Sequence, residues 1–273
     1  MERATRVSAS RFMSRDTPPP PLVTSVVIHT RNDLFPPPDL LDGAALFLDF
    51  DGTLVEIAPR PDMVHVDARL AALMTRLADK LEGRIALISG RPASDIAALF
   101  GTPAFAIAGS HGLEVRHADG RTVTAERPAA LDIVRAGLVE FASRDPALLI
   151  EDKPVGVALH YRRAPEHEAD ANVLARALAD RHGLRLQPGK MMVEVRSGAA
   201  DKGSALALLM REPLMASARP LFLGDDDTDE PAFVAAAKLG GDGILIGPER
   251  PTAATHRLPD VATTLDWLEH AAR

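Results

Sequence analysis

Two carboxylates, Asp49 and Asp51, stand where an apolar run stops, in the stretch AALFLDFDGTL at 44–54. On an extended chain residues two apart point the same way, so the two acids share a face. Like charges side by side are costly unless a cation holds them, which points to metal-assisted chemistry. Gly52 lets the backbone turn sharply and approach a ligand. Thr53 adds a hydroxyl and a backbone N–H in the same turn. A solvated Asp-Gly turn after a strand fits these residues about as well, so DFDGT needs partners elsewhere in the chain. A calcium loop is excluded, because an EF-hand needs its glycine at the sixth position and here it is at the fourth.

Further candidates lie downstream: Ser89 before Gly90 and Arg91, Lys202 in Asp-Lys-Gly, and the acidic run GDDDTDE that holds Asp225, Asp226 and Asp229. Singly, each has an ordinary explanation as a turn serine, a solvated lysine or a solvated acidic loop. Lys202 is the exception in part, since an ammonium at a helix start opposes the dipole and calls for another reason to be there. A Walker loop at 198–204 is ruled out because Lys202 precedes the second glycine, and no GxSxG element supports a serine hydrolase.

The elements that would position these residues follow from periodicity. The run at 44–48 reads as a buried parallel strand. Leu70, Leu73, Met74, Leu77 and Leu81 recur at helical spacing, with Asp67 as N-cap and Gly83 as stop. A second strand at 84–88 ends in Ser89-Gly90-Arg91, and Pro92 opens a helix. A third, at 104–108, ends in Gly-Ser-His-Gly with His111 and Gly112. Alternating buried strands and helices predict an α/β fold with a doubly wound parallel sheet, whose ligands bind beyond the carboxyl ends of the strands. DFDGT, SGR and GSHG all sit at such ends.

The texture changes after that. Strand pairs at 115–117 with 121–124 and at 148–151 with 155–162 flank Asp119-Gly120 and Lys153-Pro154, both hairpin signals. Helices at 129–142 and 167–182 and strands at 184–187 and 192–196 complete an α+β insert, placed at 113–195. The α/β rhythm returns with a helix from Lys202, a strand at 220–223, a helix at 232–239, a strand at 244–246 and an amphipathic helix carrying Leu265, Trp267 and Leu268. The main domain is therefore discontinuous, 41–112 with 196–273. Residues 1–40 hold two proline runs and read as an extended tail.

The totals bound the classes. The chain has 273 residues, 46% hydrophobic, enough for a sizeable core in one large or two modest domains. A net charge of -7 disfavours nucleic-acid binding. With no cysteine, disulfides, zinc-thiolate sites and thiol catalysis are excluded. No apolar run approaches the ~18 residues that span a bilayer. A cytoplasmic monomer with no membrane partner is expected.

Taken together and in order, these pieces resemble the haloacid dehalogenase-like superfamily, whose four loops are matched by DFDGT, the Ser of ISGR, the Lys of DKG and GDDDTDE. The resemblance implies a Rossmann-like core with an α/β cap inserted after the third strand. It implies Asp49 as the nucleophile of an aspartyl-phosphate mechanism and Mg²⁺ between Asp49, the backbone carbonyl of Asp51 and Asp225. It also implies Asp51 as acid and then base, Ser89 and the turn N–H groups on the phosphoryl oxygens, and Lys202 neutralising the transferring group. Thr53, Gly90, Arg91 and Gly112 fall among the implied substrate contacts, His111 either joins them or braces the hinge, and Asp226 and Asp229 support the metal waters and Lys202. An acid two residues after the nucleophile is typical of phosphatases and phosphomutases in that superfamily.

Within it, AGSHGLE, EDKPVGVALHYR and GKMMVEVR look like the trehalose-6-phosphate phosphatase family, over roughly 44–247. That likeness places Glu151, Lys153 and Glu194 on the distal glucose of a sugar phosphate, with Arg162 and Lys190 closing the cap. His160 reads as cap packing. Met192 stands where some members carry a polar residue. Sucrose-phosphate and mannosyl-phosphoglycerate phosphatases, phosphomannomutases and a non-enzymatic sugar-phosphate sensor are the competing readings.

Overall fold

The computed structural model describes residues 34–37, 41–101, 103–198 and 200–273. Most of the predicted tail lies outside them. Phe35 does not behave as tail: its N–H donates to the Thr255 carbonyl (3.1 Å) and its own carbonyl accepts from Arg257 N (3.1 Å).

The chain begins its first half with β1 (Ala44–Leu48), α1 (Ala68–Lys80), β2 (Ile85–Ile88), α2 (Ala93–Phe100) and β3 (Ala106–Gly109). A hairpin, β4 (Glu114–Arg116) and β5 (Thr122–Thr124), follows. Then come α3 (Ala130–Ala142), β6 (Leu149–Lys153), β7 (Gly156–His160), α4 (Glu168–His182), β8 (Arg185–Gly189) and β9 (Met192–Arg196). The last part is α5 (Lys202–Leu209), β10 (Arg219–Gly224), α6 (Glu230–Lys238), β11 (Asp242–Ile246), β12 (His256–Leu258) and α7 (Val261–Ala271).

The strands form two sheets, an eight-stranded one in the order β12-β11-β10-β1-β2-β3-β4-β5 and a four-stranded one in the order β6-β7-β9-β8. The large sheet is parallel from β12 to β3, and β1 lies at its centre between β10 and β2. Its two faces bury separate cores. Leu46 and Leu48 of β1 pack with α1, α2 and α7, while Ala45 and Phe47 pack with α5 and α6. This is the doubly wound arrangement, and it explains why β1 is apolar at every position: neither face reaches water. The small sheet is wholly antiparallel and packs one face on α3 and α4, through Val157, Leu159, Val193 and Val195.

The α1 helix matches its sequence signals. Asp67 caps it by accepting from Leu70 N at 2.8 Å, and Leu70, Leu73, Met74 and Leu77 are its buried stripe. The 114–124 hairpin differs from expectation. Its sequence texture groups it with the insert, yet β4 pairs antiparallel with β3 and the hairpin extends the large sheet. Turn chemistry specifies a hairpin but not which sheet edge receives it. The β12 strand was not anticipated; three residues carry too little periodicity to read.

Burial sets the expected response to mutation. Leu87→Ala on β2, fully buried, will cost about 2–5 kcal/mol in denaturant unfolding. Val123→Ala on β5, 55% exposed, will stay within about 0.5 kcal/mol. Equal costs at the two positions would contradict this core.

Candidate active site

Parallel register gathers the chemistry at one edge. Leu48 lies opposite both Leu223 and Leu87, so the residues just beyond those three strands emerge together. They are Asp49 and Asp51, Ser89, and the acidic loop from Asp225. Asp49 is 4% exposed, and its N–H is tied to the Leu223 carbonyl at 2.9 Å. Gly52 has φ +87°, and a Cβ there would run into the Asp225 carboxylate, so only glycine lets the turn pass this close.

Lys202 is the first residue of α5. Asp201 caps that helix by accepting from Ser204 N at 2.7 Å, which fixes where the ammonium leaves the backbone. The ammonium is buried between two carboxylates, 2.8 Å from Asp49 Oδ1 and 2.6 Å from Asp229 Oδ1. Burial alone would lower its pKa, but Asp229 and Asp49 outweigh that and hold it well above the usual lysine range. Asp229 in turn accepts from Asp225 N (2.9 Å) and Asp226 N (3.0 Å), locking the acidic loop onto the lysine. Asp226 accepts from the Thr228 N–H and hydroxyl at 2.8 and 2.6 Å.

Asp49, Asp225 and Asp229 offer carboxylate oxygens within 4.8 Å of one another. Both Asp229 oxygens are already committed, which leaves Asp49 and Asp225 as the side chains able to hold a divalent cation. Burial drives the Asp49 carboxyl well above the usual range; Lys202 opposes this, and Asp229, Asp225 and Asp226 add to it. An excess of buried negative charge of this kind suits a hard cation with oxygen ligands. The Asp51 side chain is not part of that group. Arg91 grips it with two bonds, Nε to Oδ2 at 2.6 Å and Nη2 to Oδ1 at 2.8 Å.

Ser89 Oγ accepts from Arg91 N at 3.1 Å, shaping the turn that carries Gly90. Ser110 and His111 both have positive φ, +49° and +56°, and are held there by Ser110 N–Arg91 O (2.8 Å) and His111 N–Ser89 O (2.9 Å). Burial, with Lys202 and Lys153 close by, keeps the His111 imidazole well below its ordinary pKa and so neutral.

The small sheet covers this edge. Lys153 Nζ donates to Glu194 Oε2 at 2.6 Å and to the Gly90 carbonyl at 3.0 Å, and both side chains of the pair are buried. Lys190 forms an ion pair with Asp225, and its carbonyl accepts from Arg162 Nη2 at 3.0 Å. A cavity of about 930 Å³, counting its open mouth, lies between the two sheets. Its wall includes Asp49, Asp51, Ser89, Gly90, Arg91, His111, Glu151, Lys153, Arg162, Lys190, Glu194, Lys202, Asp225 and Asp226.

Two expected contacts, Thr53 and Gly112, are absent from that wall, and Asp229, expected as a support of Lys202, also lies outside it. Thr53 is fully buried, its hydroxyl without a partner among the described residues. Gly112 has φ +95° and packs on Ala205 of α5, where a Cβ would collide. Asp229 lies beneath Lys202. Conversely, His160 is not mere packing: it lines the cavity and its Nε2 pairs with Glu151 Oε2 at 2.8 Å. Strand alternation could have revealed this, since Gly156, Ala158 and His160 share a face. Gln187, Met192 and Thr228 also join the wall, as do Ile57 and Pro59 of the loop after β1.

Comparison with known proteins agrees with this geometry. The family model described as trehalose-phosphatase matches residues 47–261. A probable trehalose-phosphate phosphatase of Sinorhizobium fredii is 41% identical over 215 residues, 78% of this chain and 81% of the relative. The trehalose-6-phosphate phosphatase of Escherichia coli is 38% identical over 234 residues, 85% and 88% of the two chains. Among solved structures, the C-terminal domain of the C. albicans trehalose-6-phosphate phosphatase superposes with a TM-score of 0.77 at 23% identity, covering 91% of this chain and 99% of that one, a likeness of fold. The chain belongs to the trehalose-phosphatase family.

Proposed function

We propose that this chain hydrolyses trehalose 6-phosphate to trehalose and inorganic phosphate, using Mg²⁺. The observation that carries the reading is the convergence of Asp49, Lys202 and Asp225 beneath a wall holding Glu151, Lys153 and Glu194. The first three suit transfer of a phosphoryl group; the last three suit recognition of sugar hydroxyls.

Asp49 and Asp225, with the backbone carbonyl of Asp51, would hold the cation. When bound, Mg²⁺ supplies positive charge beside the phosphoryl oxygens and lessens their repulsion of the attacking carboxylate. Lys202 fixes one Asp49 oxygen, leaving the other to attack phosphorus as the bond to the sugar oxygen breaks. Asp51, once freed of Arg91, takes up a proton from solvent and gives it to the leaving oxygen. It then takes one from the water that attacks phosphorus, and the bond from phosphorus to Asp49 breaks. For this, Arg91 must release Asp51, and an incoming phosphate gives the guanidinium another anion to bind. Ser89 and the N–H groups after Asp49 receive the phosphoryl oxygens. Neutral His111 and the arginine and lysine of the cap, Arg162 and Lys190, face the substrate from the sides.

The protein acts, in this reading, as a cytoplasmic monomer on a small sugar phosphate, without nucleic acid. No described helix is long and apolar enough to cross a membrane.

A phosphate-release screen over trehalose, sucrose and mannose phosphates and mannosyl-phosphoglycerate should give trehalose 6-phosphate the highest kcat/KM, lost with chelator and restored by Mg²⁺. A better substrate elsewhere in the set, or no phosphate from any, would refute the proposal. Asp49→Asn should lower kcat by about 10³-fold or more while leaving the circular dichroism spectrum unchanged. Lys202→Met should abolish turnover and also cost about 3–5 kcal/mol of stability, because it strands Asp49 and Asp229. Burial, against the pull of Lys202, already raises Asp229 to about 6. Without that pull its pKa rises further, so the loss is full above this value and recedes as pH falls through it. Denaturation at pH 5 and pH 8 reads the difference.

A further inference from the structure

A second, smaller cleft opens beside the main cavity, on the seam between the loop after β1 and the small sheet. It shares Pro59, His160 and Arg162 with the main cavity and is completed by Arg60, Arg163 and apolar walls such as Leu148. Three guanidinium groups line it, and among the described residues no carboxylate does. Asp62 holds Arg60 through Nε and Nη2, both at 2.9 Å, while Arg162 is pinned by the Lys190 carbonyl. Arg163 has no hydrogen-bond or ion-pair partner among the described residues. Asp145, the acid next to the cleft wall in sequence, is turned toward His167 (3.3 Å) and Ala147 N (2.8 Å).

We propose that this cleft is an outer docking subsite for the phosphoryl group of the substrate. The inference rests on the phosphatase reading and goes beyond it. A phosphate monoester approaching a chain of net charge -7 meets a net repulsion. Arg60 is balanced by Asp62, so the attraction rests on Arg162 and on Arg163, whose guanidinium has no acid beside it among the described residues. Guanidinium forks match phosphate oxygens in pairs. Arg162 stands in both cavities, so it passes the anion inward toward Asp49, and inorganic phosphate retraces the route outward.

The test compares wild type with Arg163→Gln and Arg163→Lys on trehalose 6-phosphate at low and high ionic strength. At low salt Arg163→Gln should lower kcat/KM about threefold or more, through KM, with kcat unchanged and a flatter salt dependence. Arg163→Lys, which keeps the charge but loses the fork, should keep the wild-type salt dependence with a kcat/KM between those of wild type and Arg163→Gln. An unchanged kcat/KM in Arg163→Gln, or a fall in kcat with the wild-type salt dependence, overturns the subsite. A direct probe uses the Asp49→Asn protein, in which sulfate should slow phenylglyoxal modification of Arg163, read by mass spectrometry. No protection also overturns it. Failure of wild type to release phosphate from any sugar phosphate sinks the phosphatase reading and the subsite together, whereas silent Arg163 variants in an active enzyme sink the subsite alone.

Discussion

One buried ammonium organises the site. Taking Lys202 out of water costs several kcal/mol, more so at a helix start, where the backbone dipole is unfavourable to it. Two buried carboxylates offset that cost, and each ties down a different part of the chain. Asp49 comes from the central strand and Asp229 from the loop after β10. Through Asp229 the same ammonium sets the backbone of Asp225 and Asp226. The geometry of three loops thus depends on one charge balance.

The cap strands divide their labour by alternation. On β9, Val193 and Val195 enter the cap core, while Glu194 faces the cavity with the Lys153 ammonium against it. The period of two therefore gives the small sheet one face for stability and one for chemistry. Both faces are needed to hold a buried ion pair beside a polar cavity. The two layers meet through Lys153 on the Gly90 carbonyl and Lys190 on Asp225, so lysines of the small sheet and its turn reach the loops after β2 and β10.

Much of this was legible in the residues. The β1 run and its Asp-Gly turn announce a buried strand ending at a site, because a strand covered on both faces must be apolar throughout. The α1 helix was legible from its stripe and its Asp67 cap. The discomfort of a lysine at a helix start was itself a signal, and the structure answers it with two acids. What sequence could not settle depends on contacts between distant segments. The 114–124 hairpin could join either sheet by its own pattern, and only pairing with β3 decides. The addition of Phe35 to β12 leaves no periodic trace. Thr53 and Gly112 looked like ligand contacts by their motif position, yet packing turns them inward. The Lys190–Asp225 pair joins residues whose partnership no local pattern encodes.

The pairing of Ala44 with Arg219 has a consequence for how the protein comes into being on the ribosome. During synthesis the amino-terminal part emerges first, and contacts between remote segments form slowly. The central strand must therefore wait, one side unzipped and its acids uncompensated, until most of the polypeptide has been translated. The edge that gathers Asp49, Lys202 and Asp225 cannot close before β10 arrives, and a product that stops short of β10 would present a greasy, half-paired ribbon.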